Sequence, residues 1–291
     1  RPISEKIDRS FVHYWLRSAE TFFKIKNLVR GIHLYPKDVK RLKFPLFPLA
    51  EQKRIAAILD KADAIRRKRE KAIQLADEFL RSVFLDMFGD PATNPKKWPE
   101  GTIRELVSEA KYGTSKKANG YEGKYPILRM NNITYKGFLD LSDLKYINMD
   151  EKEESKYLVK NGDLLFNRTN SKELVGKTAV YNKDEAMAVA GYLIRVRSNE
   201  KSNPNYISAY LNSKHGKATL FGMCKNIIGM ANINAQELQD IKILIPPIKL
   251  QNKYAKIVED VYEKKKKLSK ALYESKILIK SLTQSAFCGG S

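Results

Sequence analysis

With 291 residues and 43% hydrophobic content, the chain is long enough for one or two domains with real cores and too apolar to be a disordered tail. Lys and Arg outnumber Asp and Glu 54 to 33, a net charge of +21, which favours a polyanionic partner because each cation docked on a phosphate releases condensed counterions. Cys224 and Cys288 are too few for a disulfide framework, and His13, His33 and His215 form no ligand pattern. Without a run of about 20 apolar residues or a secretory leader, the composition points to a cytoplasmic protein and away from a membrane.

Residues 1–47 read as the tail of a domain, because their pattern returns from about Val196 onward. Residues 48–90 follow as a long helix. Pro48 stops an extended segment, and no Gly or Pro interrupts the chain before Phe88. Apolar residues fall at heptad spacing at Ile55, Ile58, Ala62, Ile65, Ala72, Ala76, Phe79 and Val83. Such a helix runs about 55 Å, with a stripe too narrow to bury itself alone. Gly89-Asp90-Pro91-Ala92-Thr93-Asn94-Pro95 ends it.

Residues 91–247 read as one complete mixed domain. Short β-type runs (Tyr125–Met130, Leu164–Asn167, Ala179–Tyr181, Tyr192–Val196, Ile241–Ile245) alternate with Gly- and Asn-rich loops. One helix, about Pro204 to Phe221, interrupts them. Residues 248–291 are a second long helix, with Tyr254, Ile257, Val261, Leu268, Ala271, Leu278 and Leu282 as its stripe. The fold class is therefore α+β: a mixed α/β domain plus two long helices forming an antiparallel coiled coil.

The two long helices are copies. Lys43–Asp90 realigns with Lys242–Gly289 at a constant offset of 199, matching Pro48 to Pro247, Gln52 to Gln251, Ala56 to Ala255, Ser82 to Ser281 and Phe88 to Phe287. Upstream, Lys26-Asn27-Leu28 faces Lys225-Asn226-Ile227 at the same offset. Before that the offset falls to 195, where Leu16-x-Ser18 meets Leu211-x-Ser213, so one four-residue insertion separates the copies.

Catalytic motifs are missing. There is no Asn/Asp-Pro-Pro-aromatic or Pro-Cys motif of a base methyltransferase and no Walker-type loop, and Gly120-Tyr121-Glu122-Gly123 follows no convincing strand. Glu122-x-Lys124 lacks the upstream Asp of a nuclease metal site. Binding groups cluster instead in three loops of the complete domain. Tyr112-Gly113-Thr114-Ser115-Lys116-Lys117 offers hydroxyls, amides and cations suited to phosphates. Arg129-Met130-Asn131-Asn132 combines the side chains that pair bidentately with guanine and adenine. Asn167-Arg168-Thr169-Asn170-Ser171-Lys172 repeats that mix after a second strand. Any one of these alone reads equally well as a solvated turn.

Tyr112-Gly113-Thr114-Ser115, Tyr125-Pro126-Ile127-Leu128-Arg129 and Gly162-Asp163-Leu164-Leu165-Phe166 together look like a target recognition domain. Asn232-Ile233-Asn234 through Leu238, then Ile245-Pro246-Pro247 and Gln251, resemble its exit into a conserved helix. With the repeated helix, the chain resembles the specificity subunit of type I restriction–modification systems. That resemblance implies two recognition domains held apart by the helical pair, each reading half of a bipartite site on double-stranded DNA. It implies a non-catalytic chain without a cofactor of its own, partner methyltransferase (modification) subunits that bind S-adenosylmethionine and methylate adenine, and a separate motor-nuclease (restriction) subunit. Only residues 1–47 represent the first recognition domain. Either the rest lies outside this sequence, or the chain is a half-subunit that pairs with a second copy. Two rival readings are a coiled-coil scaffold with an incidentally basic surface, and the specificity part of a longer fused enzyme.

Overall fold

The computed structural model describes residues 5–29, 33, 35–227 and 229–288. In chain order the elements are α1 (Arg9–Arg17), α2 (Ala19–Leu28), α3 (Pro36–Val39), α4 (Leu49–Phe88), β1 (Glu100–Thr102), β2 (Val107–Tyr112), β3 (Tyr125–Leu128), β4 (Lys145–Ile147), α5 (Glu151–Tyr157), β5 (Leu164–Asn167), β6 (Thr169–Asn170), β7 (Thr178–Val180), β8 (Ala188–Val189), β9 (Leu193–Ser198), α6 (Pro204–Asn212), α7 (Lys214–Met223), β10 (Lys225–Ile227), β11 (Met230–Asn232), α8 (Ala235–Gln239), β12 (Lys242–Leu244) and α9 (Ile248–Cys288). They form two compact units, Arg1–Ala76 with Tyr262–Ser291, and Asp77–Val261.

The long helices α4 and α9 have 40 and 41 residues, about 60 Å at 1.5 Å per residue. The first stops where Gly89 takes φ +81°, a conformation that costs a residue with a Cβ. The indole N–H of Trp98 donates to the Phe88 carbonyl at 2.9 Å, satisfying one of the acceptors that a helix end leaves open. The helices run antiparallel. In the first unit Arg69 donates to the Ala271 carbonyl at 2.6 Å and also to Ser275, and Lys276 lies 3.5 Å from Glu70. In the second, Tyr254 packs edge-on against Phe84 and Phe88, with ring centres 5.8 and 5.5 Å apart.

The heptad spacing holds, but its phase in α4 does not. Ile58, Ile65 and Phe79 are exposed, as is Leu278 of α9, whereas Gln52, Ala56, Leu59, Asp77, Leu80, Phe84 and Phe88 are buried. The buried stripe lies one position away from the apolar one because its middle is polar. There Arg66 bonds Asp63 and Glu70, each at 2.8 Å.

In the second unit a four-stranded antiparallel sheet, β2-β9-β5-β7, lies between two cores. Leu164 and Phe166 of β5 point toward α6, α7, Phe84, Phe88 and Tyr254. Leu165 points the other way, to Leu128, Ile133, Tyr181 and Val189. Alternation at period two thus buries β5 on both faces, which is why its run is continuously apolar. A second sheet, β4-β3-β8, and a third, β10-β11-β6, complete the unit together with the β1-β12 pair.

The expected single helix over 204–221 is two helices. The Ser213 hydroxyl accepts from the Gly216 amide at 3.0 Å and starts α7 as a new N-cap. Ser18 does the same between α1 and α2, accepting from the Thr21 amide. Lys26-Asn27-Leu28 therefore does not pair with Lys225-Asn226-Ile227, since one is helix and the other strand. The offset of 195 extends through Leu28 and Met223, so the four extra residues fall in the segment that holds the β10–β11 hairpin. The closing residues 289–291 lie outside the described ones.

Candidate nucleic-acid interface

Backbone pairing brings the three candidate loops to one edge. The Gly113 amide donates to the Leu193 carbonyl at 3.1 Å, Thr114 to Val189 at 2.8 Å, Ala190 to Leu128 at 2.9 Å and Arg168 to Tyr192 at 3.0 Å. The chain segments after β2, β3 and β5 thus all leave from either side of the β8–β9 connection. Gly113 is required at this crossing, because a Cβ there would lie 2.3 Å from the carbonyl oxygens of Val189 and Ala190.

Side chains meet at the centre of this edge. The Arg168 guanidinium lies 4.7 Å from the Tyr112 ring centre, a cation–π stack. The Tyr112 hydroxyl accepts from the Ala235 amide at 3.0 Å, which fixes the ring under the arginine. Strand β6, just beyond Arg168, pairs with β11, and Thr169 donates to Asn232 at 2.9 Å. Lys172 places its ammonium 4.3 Å over the Phe221 ring. Tyr192, beside Arg168, is 52% exposed. An aromatic platform with two cations can stack on bases and hold phosphates.

A family model described as the type I restriction modification DNA specificity domain matches residues 1–75 and 95–275. The chain belongs to this family. It is 26% identical over 94% of its length to the EcoKI specificity subunit of a type I restriction enzyme from Escherichia coli K12, of which the match spans 63%. It is 23% identical over 96% of its length to the StySPI specificity subunit from Salmonella potsdam, spanning 64% of that protein. A putative MjaX specificity subunit from Methanocaldococcus jannaschii is 29% identical over 57% of this chain and 40% of its own length. The chain thus spans less than two thirds of each of these three relatives. In fold it is similar to a type I restriction–modification S subunit from M. genitalium, with a TM-score of 0.63, 19% identity, and coverage of 97% of this chain and 73% of that one. It is also similar to a chain from a structure of type I R-M complex assembly, with a TM-score of 0.56, 20% identity, and coverage of 97% and 72%.

Within this specificity-domain chain the twelve sequence candidates divide into four groups. Thr114, Asn132 and Asn167 are buried. Thr114 accepts from the Lys116 amide at 3.1 Å. Asn132 is consumed by the Arg129 amide and the Asp140 and Asp143 carbonyls. Asn167 donates to the Thr169 and Tyr192 carbonyls and accepts from Asn170. They shape the loops, since a buried amide must find partners. Lys116 pairs with Glu153 at 3.0 Å and Arg129 with Asp143 at 2.9 Å. The Lys116 pair is exposed and worth about 0–1 kcal/mol, so a phosphate can replace it at little cost, whereas Arg129 is largely buried and also donates to the Asp143 carbonyl. Ser115, Lys117 and Asn131 are exposed, while Tyr112, Arg168, Asn170 and Lys172 gather around the platform.

Sequence reasoning missed Tyr192, which stands at the start of a strand where an aromatic reads as core, and Phe221, which reads as the inner face of a helix. No metal-binding group of three or more His, Cys, Asp or Glu occurs among the described residues. No helix among them is long and apolar enough to cross a membrane.

Proposed function

We propose that the chain is the DNA-reading specificity subunit of a type I restriction–modification complex, or a large part of one. It places a partner adenine methyltransferase on its site and does no chemistry itself. The observation that carries this reading is the Arg168–Tyr112 stack at an edge where three loops rich in Asn, Arg and Lys converge, on a chain of net charge +21. Arg168, Asn170 and Asn131 read base edges, while Lys116, Lys117 and Ser115 hold phosphates. S-Adenosylmethionine binds the partner methyltransferase, and a motor-nuclease subunit supplies cleavage. The absence of donor-binding and catalytic motifs from the sequence supports this division of labour. Methylome sequencing of a host carrying the complete system tests it: a bipartite adenine-methylated site is expected. Methyl transfer by the isolated chain, or duplex binding with no sequence preference, would overturn it; the latter favours the scaffold reading.

The helices serve this function as a ruler. About 60 Å of helix exceeds one DNA turn of about 34–36 Å, so two short half-sites flank bases that are ignored. Deleting Ala62–Lys68 and Val261–Lys267 removes one heptad from each helix, shortening the pair by about 10 Å, roughly three base pairs. The shortened protein is expected to keep both half-site sequences and accept a smaller gap. Methylation at the original spacing would make the helices a mere tether.

A further inference from the structure

We propose that Lys177 and Lys217, with the Tyr135 ring, form a seat for a DNA phosphodiester along α7, a contact that rests on the DNA-reading function proposed above. Lys177 precedes β7 and is 7% exposed, and its ammonium donates to the Met130 carbonyl at 2.8 Å. Lys217 lies in the first turn of α7. It donates to the Gly176 carbonyl at 3.5 Å and sits 5.2 Å over the Tyr135 ring. Among the described residues no carboxylate comes within ion-pair reach of either amine. Lysines are rarely buried without an opposite charge, and here the buried Lys177 has a second lysine beside it, since Lys217 bonds the carbonyl of the preceding residue, Gly176. Burial, and then the charge of Lys177, push Lys217 down to about 8, and burial lowers Lys177 as well.

Each ammonium carries three donors, and the carbonyls and the ring leave some of them unused. An anion with two free oxygens satisfies both amines and removes the repulsion, and a phosphodiester has that form. The place also fits a nucleic-acid strand. Phe221 stands one turn further along the same face of α7, beneath Lys172. Lysine–aromatic pairs therefore recur on successive turns, with Tyr135 and Phe221 both exposed. Met130, the acceptor of Lys177, adjoins the candidate base reader Asn131.

The test uses the full chain and a mixed-sequence DNA duplex, measuring log Kd against log salt. Lys217→Gln should lower the magnitude of the slope by about 0.9, the value for one phosphate contact, and Lys217→Arg should retain it. The wild-type protein should lose affinity as pH rises through about 8, where Lys217, faced by Lys177, gives up its proton. The Lys217→Arg variant should not. Lys177→Met should reduce the slope too, with its melting curve reporting whether it folds. An unchanged slope for Lys217→Gln, while Arg168→Ala weakens binding to the cognate duplex, would overturn the seat and leave DNA reading standing. Failure of the wild-type chain to bind any duplex would overturn both. Protection of Lys217 from amine acylation by inorganic phosphate, without a change in DNA slope, would make it a free-anion site and also overturn the proposal.

Discussion

Residues 9–28 and 204–223 fold as the same pair of short helices, hinged at Ser18 and Ser213, but they live in different surroundings. Each is anchored by a buried glutamine. Gln52 accepts from the Asp8 amide and donates to the Lys6 and Phe47 carbonyls. Gln251 accepts from the Asn203 amide and donates to the Lys201 and Pro246 carbonyls. Each pair also packs on a phenylalanine from the other copy's long helix, Phe11 on Phe287 at 5.1 Å and Tyr206 on Phe88 at 4.8 Å. The difference lies in what covers them. Leu211 is fully buried under the sheet of its unit, whereas the equivalent Leu16 is 37% exposed, and no β-strand is described in the first unit. Local sequence and one glutamine suffice to define the helix pair, and a sheet is needed to complete its core.

The largest expected effect breaks the comparison at the phenylalanines. Phe88→Ala, in a cluster with Phe84, Tyr206 and Tyr254, should cost about 3–5 kcal/mol in denaturant unfolding. Phe287→Ala, at a half-buried site, should cost clearly less, and equal costs would mean that the first unit has as full a core. Next, Gln52→Ala and Gln251→Ala each strand three backbone groups and should each lose about 1–3 kcal/mol. A neutral result for one would show that the anchor is not shared. On function, Arg168→Ala should cost about 1–3 kcal/mol on the cognate duplex and little on unrelated DNA, while Lys117→Ala should weaken both slightly. Equal losses on both duplexes for Arg168→Ala would remove it as a base reader. The smallest effect sharpens the contrast in coverage. Leu16→Ser should change stability by no more than about 0.5 kcal/mol, as surface substitutions do, while Leu211→Ser should be severely destabilising.

The long helices were legible because nothing but Gly89, Pro48 and Pro247 breaks the chain around them. The phase of α4 was not, because Asp63, Arg66, Arg69 and Glu70 occupy seam positions that a search for apolar residues skips. The loops were legible as polar stretches after strands. Which of their side chains turn inward was not, since Asn132 and Asn167 differ from Asn131 only in the carbonyls that tertiary folding brings to them. Lys217 was invisible for the same reason: its partners, the Gly176 carbonyl and the Tyr135 ring, are distant in sequence.

The two tryptophans of the chain fall one in each unit. Trp98 is held by its bond to the end of α4, and Trp15 packs edge-on against Phe44 at 5.0 Å. Intrinsic fluorescence therefore contains two separable probes. A Trp15→Phe protein glows only from the second unit and a Trp98→Phe protein only from the first, so a melt of each records whether the units unfold at one temperature or two.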